Sequence, residues 1–233
     1  MMRSFPLLLI AALGLLLVFA LGDSLLTGTE IGPVAQHYLD NGVAETGVYN
    51  LVTAVLLDYR ALDTLLESAV IFAAAAAVWS LMQQRRLPDA EGGLSVAVRT
   101  LIPRLLPLLL VYSVHLALFG HLTPGGGFQG GVVLSVVSVL LIAAFGTGYE
   151  YRLISPNTKS RLELLGGGIL VVIALAPLVV GAALLTNGGA GFPLGQPGSL
   201  FSGGTIPVLS LAIFVKVAAA FSLILYSLLK KGS

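Results

Sequence analysis

Gly120-His121-Leu122-Thr123-Pro124-Gly125-Gly126-Gly127-Phe128-Gln129-Gly130-Gly131 is the stretch whose reading decides the fold. Glycine costs about 1 kcal/mol and proline about 3 kcal/mol inside a helix, so six glycines and a proline break one. Yet Leu105 to Phe119 before the run and Val132 to Phe145 after it are long and apolar. Backbone this irregular beside membrane helices is tolerated only where protein or water satisfies its polar groups. The run therefore allows close helix approach, exposes amides, or does both.

Working outward, hydrophobic residues make up 57% of the chain and charged residues 10%, with a mean hydropathy of +0.98. A soluble domain carries roughly a quarter charged residues. The chain reads as an all-α integral membrane protein. It has no cysteine, which excludes disulfides, thiolate metal sites and iron–sulfur ligation by this chain. The net charge of +1 gives no argument for nucleic acid.

Requiring about 20 apolar residues per crossing, we read six spans, near Phe5–Leu21, Thr64–Met82, Leu101–Phe119, Phe128–Thr147, Leu164–Thr186 and Ile206–Leu229. The Gly/Pro-rich loop lies between the third and fourth. Pro103 and Pro107 in the third, and Pro177 and Gly181 in the fifth, predict kinks. The first span, following Arg3, also has the build of a secretory signal; it is read as a helix. Val48 to Leu57 is too short to span and is expected as a surface helix, and Asn187 to Gly204 as an external loop.

Charge orients the spans. Arg3, Arg85, Arg86, Arg99, Arg104, Arg152, Lys159, Arg161, Lys230 and Lys231 all fall on one side of six alternating spans, ten of the twelve basic residues. The positive-inside rule makes that side cytoplasmic, with both termini in it. Pro88-Asp89-Ala90-Glu91-Gly92-Gly93 reads as a linker, which divides the chain into residues 1–87 with two spans, a linker at 88–98, and residues 99–233 with four.

Two motifs carry a resemblance. The loop from His121 to Gly131, preceded by Arg99-Thr100 and Arg104, resembles the MnhB/MrpB family of Mrp-type Na⁺/H⁺ antiporter subunits, which reads G-H-x-x-P-G-G-G-F-x-G-G between its first two helices. Upstream, Asp58-Tyr59-Arg60-Ala61-Leu62-Asp63-Thr64-Leu65-Leu66-Glu67 is similar to a D-[FY]-R-x-x-D-T-x-x-E pattern. That pattern belongs to the C-terminal part of the large MrpA subunit and to MbhE-type subunits of membrane-bound hydrogenases. The resemblance implies a fusion of the two modules. It further implies a non-catalytic subunit in a prokaryotic cytoplasmic (inner) membrane, among other membrane subunits of an Mrp-type or hydrogenase-like complex and lipids. No cofactor is expected on this chain; Na⁺ and/or H⁺ are the implied transported ions. One departure matters: where antiporter relatives carry an Asp shortly after a Pro in the last helix, this chain reads Pro207-Val208-Leu209-Ser210-Leu211-Ala212, with Lys216 further in. That favours a redox-driven relative.

Five residues are candidates for an ion or proton path. Glu67 and Asp63, four apart, share a helix face, and a carboxylate inside the membrane needs a polar surrounding. Capping by Asp63 or Thr64, with Arg60 paired to an acid, explains the same residues structurally. Lys216 lies deep in the last span, where burial lowers a lysine's proton affinity and suits it to relay. Pairing with a carboxylate or carbonyl is the alternative. Histidine as a residue type can pass protons at physiological pH, which makes His115 and His121 candidates, although hydrogen bonding alone accounts for most bundle histidines. Asp58, Arg60, Thr64, Pro124, Gly125, Gly126, Gly127, Phe128, Gln129, Gly130 and Gly131 are assigned to structure, with Gly130, Gly131, Ser135 and Ser138 forming a close-packing face. Gly166-Gly167-Gly168 is read the same way. A transport subunit and a purely structural membrane scaffold thus compete. A water-filled cavity at Glu67, His121 and Lys216 favours the first, and dry, paired side chains the second.

Overall fold

The computed structural model describes residues 5–27, 31–82 and 96–229. Its regular structure is helical, with no strand among these residues. The linker at 88–98 falls mostly outside them, as do Arg3, Arg85, Arg86, Lys230 and Lys231. The chain divides into two compact units, with the boundary between Asp40 and Asn41 in the sequence.

The first unit contains α1 (Phe5–Thr27) and the start of α2 (Pro33–Thr46). In α2, Gln36 Nε2 donates to both carboxylate oxygens of Asp40, at 2.9 and 3.0 Å.

The second unit holds the rest. The end of α2 leads to a short α3 (Leu51–Ala54), a π-helical turn (Val55–Tyr59) and α4 (Ala61–Met82). Then come α5 (Val96–Phe119), α6 (Gly127–Phe145), α7 (Thr147–Leu153), α8 (Pro156–Leu175) and α9 (Ile206–Leu229). Five helices among the described residues are long and apolar enough to cross a membrane: Ala61–Met82, Val98–Phe119, Gly127–Phe145, Pro156–Val180 and Ile206–Leu229. The described apolar stretch of α1 is Ile10–Phe19.

Helix α9 is the core. It packs against α4, α5, α6 and α8, and most of its side chains are buried. The outer faces of α4 and α5 leave large apolar residues such as Leu66, Val70, Leu108 and Val111 exposed. A hydrophobic cluster joins Val48, Ala54 and Leu57 to Leu170 of α8 and to Ile206, Leu209, Ile213 and Val217 of α9.

Glycine sets the helix spacing. A Cβ on Gly127 would overlap the Ser210 carbonyl of α9, and one on Gly130 would lie 2.6 Å from the Ser113 carbonyl of α5. Gly131 faces Val217 and Phe214, and on α8 a Cβ at Gly166 would sit 2.6 Å from the Ala212 carbonyl. Without side chains, backbones approach closely, and dispersion contacts replace the hydrophobic drive that lipid does not supply.

Two boundaries differ from the sequence reading. The fifth span begins at Pro156, capped by Ser155 Oγ accepting from the Thr158 amide at 3.2 Å. It ends in a 3₁₀ turn, Ala176–Val180, with Gly181 left-handed at φ 75°. It therefore takes in Lys159, Arg161 and Glu163, which the sequence reading left outside. The segment from Val48 to Leu57 does not span and keeps Tyr49, Val52 and Leu56 exposed, but its other face, Val48, Thr53, Ala54 and Leu57, is buried. Val48, Ala54 and Leu57 join the cluster with α9, a long-range contact that local periodicity does not reveal. Pro103 and Pro107 lie within a continuous α5, whereas the fifth span does break at Ala176.

Gly127→Ala is expected to destabilise the protein by about 1–3 kcal/mol, the range for overpacking a closed contact. Gly168→Ala, which meets no atom within 4 Å, should leave stability unchanged or slightly raised. Thermal unfolding in detergent compares them; equal melting temperatures would show that α6 and α9 are not in close contact.

Candidate functional site

The glycine loop is stitched to α3. Asn50 caps α3, its Oδ1 accepting from the Val52 and Thr53 amides at 3.1 and 3.3 Å. Its Nδ2 donates to the carbonyls of Gly120 at 2.7 Å and Thr123 at 2.9 Å. Thr53 Oγ1 also donates to Gly120 O at 2.7 Å, and the Asn50 amide to His121 O at 3.1 Å. The loop's orphaned carbonyls are thus satisfied by protein, as buried backbone requires. Gly125 and Gly126, at φ 156° and 146°, carry the chain into α6, and the Gly126 amide donates to Leu116 O at 3.0 Å.

His121 is completely buried, and neither ring nitrogen has a hydrogen-bond partner. Burial lowers its pKa below the ordinary histidine range, against the opposing pull of backbone oxygens at Ser199, Leu200 and Leu118. His115 is exposed on α5, stacked on Phe119 with ring centroids 4.9 Å apart.

The acidic motif sits at the helical break. The π turn closes with the Arg60 amide donating to Val55 O at 2.8 Å, and Thr64 Oγ1 donates back to Leu56 O at 2.7 Å. Arg60 Nε donates to Asp63 Oδ2 at 2.7 Å, both side chains exposed. Because α4 begins at Ala61, neither Asp63 nor Thr64 caps it: Asp63 lies in the first turn and Thr64 bridges the break. Asp58 is half-buried; burial raises its pKa, a 3.5 Å contact from Asn187 Nδ2 lowers it, and Glu45's charge raises it. Asn187 also joins Gly203 and Thr205. Glu67 is exposed on α4 and lines a groove of about 300 Å³ with Thr64, Gly125, Gly126, Gly127 and Gln129.

Lys216 is buried, its stem lying along Gly166 and Gly167. Its Nζ donates to the Ser68 carbonyl of α4 at 2.7 Å and stands 3.9 Å from Glu163 Oε1 of α8. The latter is an ion pair without a direct hydrogen bond, and Glu163 Oε1 has no hydrogen-bond partner. Toward the α7 end lies a second buried pair, Lys159 with Glu150. Ser138 Oγ donates to Glu150 Oε1 at 2.9 Å and lies 3.1 Å from Ser222 Oγ, and Lys159 Nζ lies 4.8 Å from the Tyr226 ring centroid.

The structure brings Lys216 together with Glu163, and Glu67 together with the glycine loop; Asp63 and His115 stand apart on exposed faces. Sequence reasoning missed Glu150, Lys159 and Glu163 as buried groups. The signal was present: Lys159, Glu163, Gly166, Leu170 and Ala174 recur at four- and three-residue steps, and they are the buried stripe of α8.

Five membrane-length helices with two buried ion pairs among them define an all-α integral membrane protein. Residues 97–223 match the family described as the domain related to the MnhB subunit of Na⁺/H⁺ antiporters, and residues 2–99 match the MbhE family. The chain belongs to the MnhB-related family. It is similar to a chain of the membrane-bound sulfane sulfur reductase, an archaeal respiratory membrane complex, with 33% identity, a TM-score of 0.80 and 99% of each chain covered. It is also similar to a chain of the Mrp complex from Dietzia sp. DQ12-45-1b, at 27% identity and TM-score 0.74 over 96% of this chain; it spans only 26% of that one. The Methanocaldococcus jannaschii protein MJ1307 is 28% identical over 222 residues, 83% of this chain and 80% of that protein.

Asn50→Ala should lower stability by about 1–3 kcal/mol, the cost of leaving carbonyls unsatisfied, read as a fall in melting temperature in detergent; no fall would mean the loop does not rest on α3. His121 also gives stability a pH dependence. Its folded-state pKa is depressed, so the unfolded state binds the extra proton. Stability is then flat above about pH 6.5 and falls as pH drops below it. His121→Gln should flatten this acid limb of a melting-temperature series; an unchanged limb would assign it to other groups.

Proposed function

We propose that this chain is a non-catalytic subunit of a multisubunit, Mrp-type cation/proton antiporter module, contributing to a Na⁺ or H⁺ pathway within a redox-driven respiratory complex. The observation that carries this reading is the full-length similarity to a chain of an archaeal respiratory membrane complex. The Glu163–Lys216 pair supports it further: charged groups among membrane helices are costly and mark charge pathways by default.

In this reading the partners are other membrane subunits and lipids, and the chain itself binds no cofactor. Residues 1–87 and 99–233 act as two modules joined at 88–98. Both termini lie in the cytoplasm, because Arg99, Arg104, Arg152 and Arg161 share that side. Lys159 is buried and takes no part in that surface charge. The exposed Glu67, inside a helix of membrane length, calls for a polar cover from a neighbouring membrane protein.

A membrane scaffold is the second reading, favoured by buried Lys216 tying α4, α8 and α9 together. Under the leading reading, the tagged chain purified from native membranes in mild detergent brings redox and antiporter-like membrane subunits in stoichiometric amounts. Membrane vesicles lacking it lose coupled Na⁺ or H⁺ movement. A chain that purifies alone, with vesicle transport unchanged by its deletion, would overturn the reading.

A further inference from the structure

We infer that Glu150, Lys159, Glu163 and Lys216 form one acid–base line through the second unit that passes protons and not sodium ions. The inference rests on the transport reading above and assigns its ion and its residues. Four ionisable side chains of alternating sign are buried in contact with one another or one helical turn apart. Lys159 and Glu163, four apart on the buried stripe of α8, have Cβ atoms about 6 Å apart, within reach of a lysine–glutamate contact. Lys159 now holds Glu150; a change of rotamer carries the same ammonium to Glu163. Glu150 Oε2 and Glu163 Oε1 are buried acceptors with no hydrogen-bond partner. Glu150, Lys159, Ser138 and Ser222 form the polar wall of a mainly apolar cleft of about 440 Å³, which gives this end of the line access.

The proton balance closes with one acceptor from outside the chain. Lys216 releases a proton to water or to a carboxylate of a neighbouring membrane subunit beyond α4. Lys159 swings and gives its proton to Glu163, forming an O–H bond as an N–H bond breaks. Glu163 passes that proton to Lys216, restoring carboxylate and ammonium. Glu150 takes a proton from the cleft and returns it to Lys159. One proton has crossed the line, and every group is back in its starting state.

Sodium fits poorly. It needs several oxygen ligands, and each carboxylate here faces an ammonium, so a bound Na⁺ would set two cations together at low dielectric. Among the described residues, no three acidic or histidine side chains cluster as a cation site. The charged group facing Glu163 is Lys216 from α9; Lys159, on its own helix, is turned to Glu150. From α4, the Ser68 carbonyl and the Phe72 ring approach Lys216.

The test uses the intact complex. Removing one partner of a buried pair strands the other charge, whereas replacing both by neutral groups of similar volume is often tolerated. The double variant Glu163→Gln with Lys216→Met should therefore assemble at wild-type level on a native gel and lose proton movement in vesicles at least tenfold. An assembled double variant with normal proton movement would overturn the line while leaving the transport reading intact. Wild-type vesicles that move no ions would instead strike the transport reading itself. Should the double variant fail to assemble, carbodiimide labelling of the wild-type complex decides, because the reagent modifies protonated carboxyls in apolar surroundings. Labelling of Glu163 that increases as pH falls and is indifferent to Na⁺ supports the proposal. Protection by Na⁺, or no labelling at any pH, overturns it.

Discussion

The close seating of α9 between the glycine faces of α6 and α8 is the constraint on which the rest of the structure depends. At Gly127, Gly130, Gly131 and Gly166 a Cβ would meet a neighbouring backbone carbonyl or side chain too closely. Backbone therefore approaches backbone at these contacts, and little volume remains for water around the Lys216 stem. The exclusion fixes the chemistry. Lys216 can lie in the core only because Gly166 and Gly167 make room for its stem, the Ser68 carbonyl accepts a hydrogen bond from its ammonium, and Glu163 answers its charge. A lysine at this depth is too far from either surface for its stem to carry the ammonium into water.

The loop and the charged core are connected through that same helix. Asn50 and Thr53 hold the glycine loop, the loop launches α6, and α6 packs on α9. Residues 41–82 thus share a compact unit with residues 96–229, although two different families match the two portions of the chain. Fusing the portions into one polypeptide makes physical sense when the contacts between them satisfy buried carbonyls: the loop's polar groups then have partners without waiting for a second chain.

Much of this was legible from residues alone. Apolar length gave the spans, and the glycine run gave both the break and the family. Gly130, Gly131, Ser135 and Ser138 lie buried on one face of α6, where their size and spacing point. What hydropathy could not separate was a charge in a loop from a charge on the inner face of a helix. Lys159, Arg161 and Glu163 look alike to a window average, yet Arg161 is exposed and the other two are buried. Glu67 is the opposite case: depth in the apolar sequence was clear, but which way the side chain faces depends on how α4 rotates against α9. The burial of Val48 and Leu57 was not legible for a related reason, since it comes from α9, about 150 residues further along the chain.

The account stands on Glu163 exchanging its proton while the complex works. Infrared difference spectroscopy on the energised complex, in light and heavy water, follows that event directly. The account predicts a carboxylic-acid C=O band that appears with turnover, shifts in heavy water, and is missing in Glu163→Gln. Glutamate that stays ionised throughout turnover, with no such band assignable to Glu163, would contradict it.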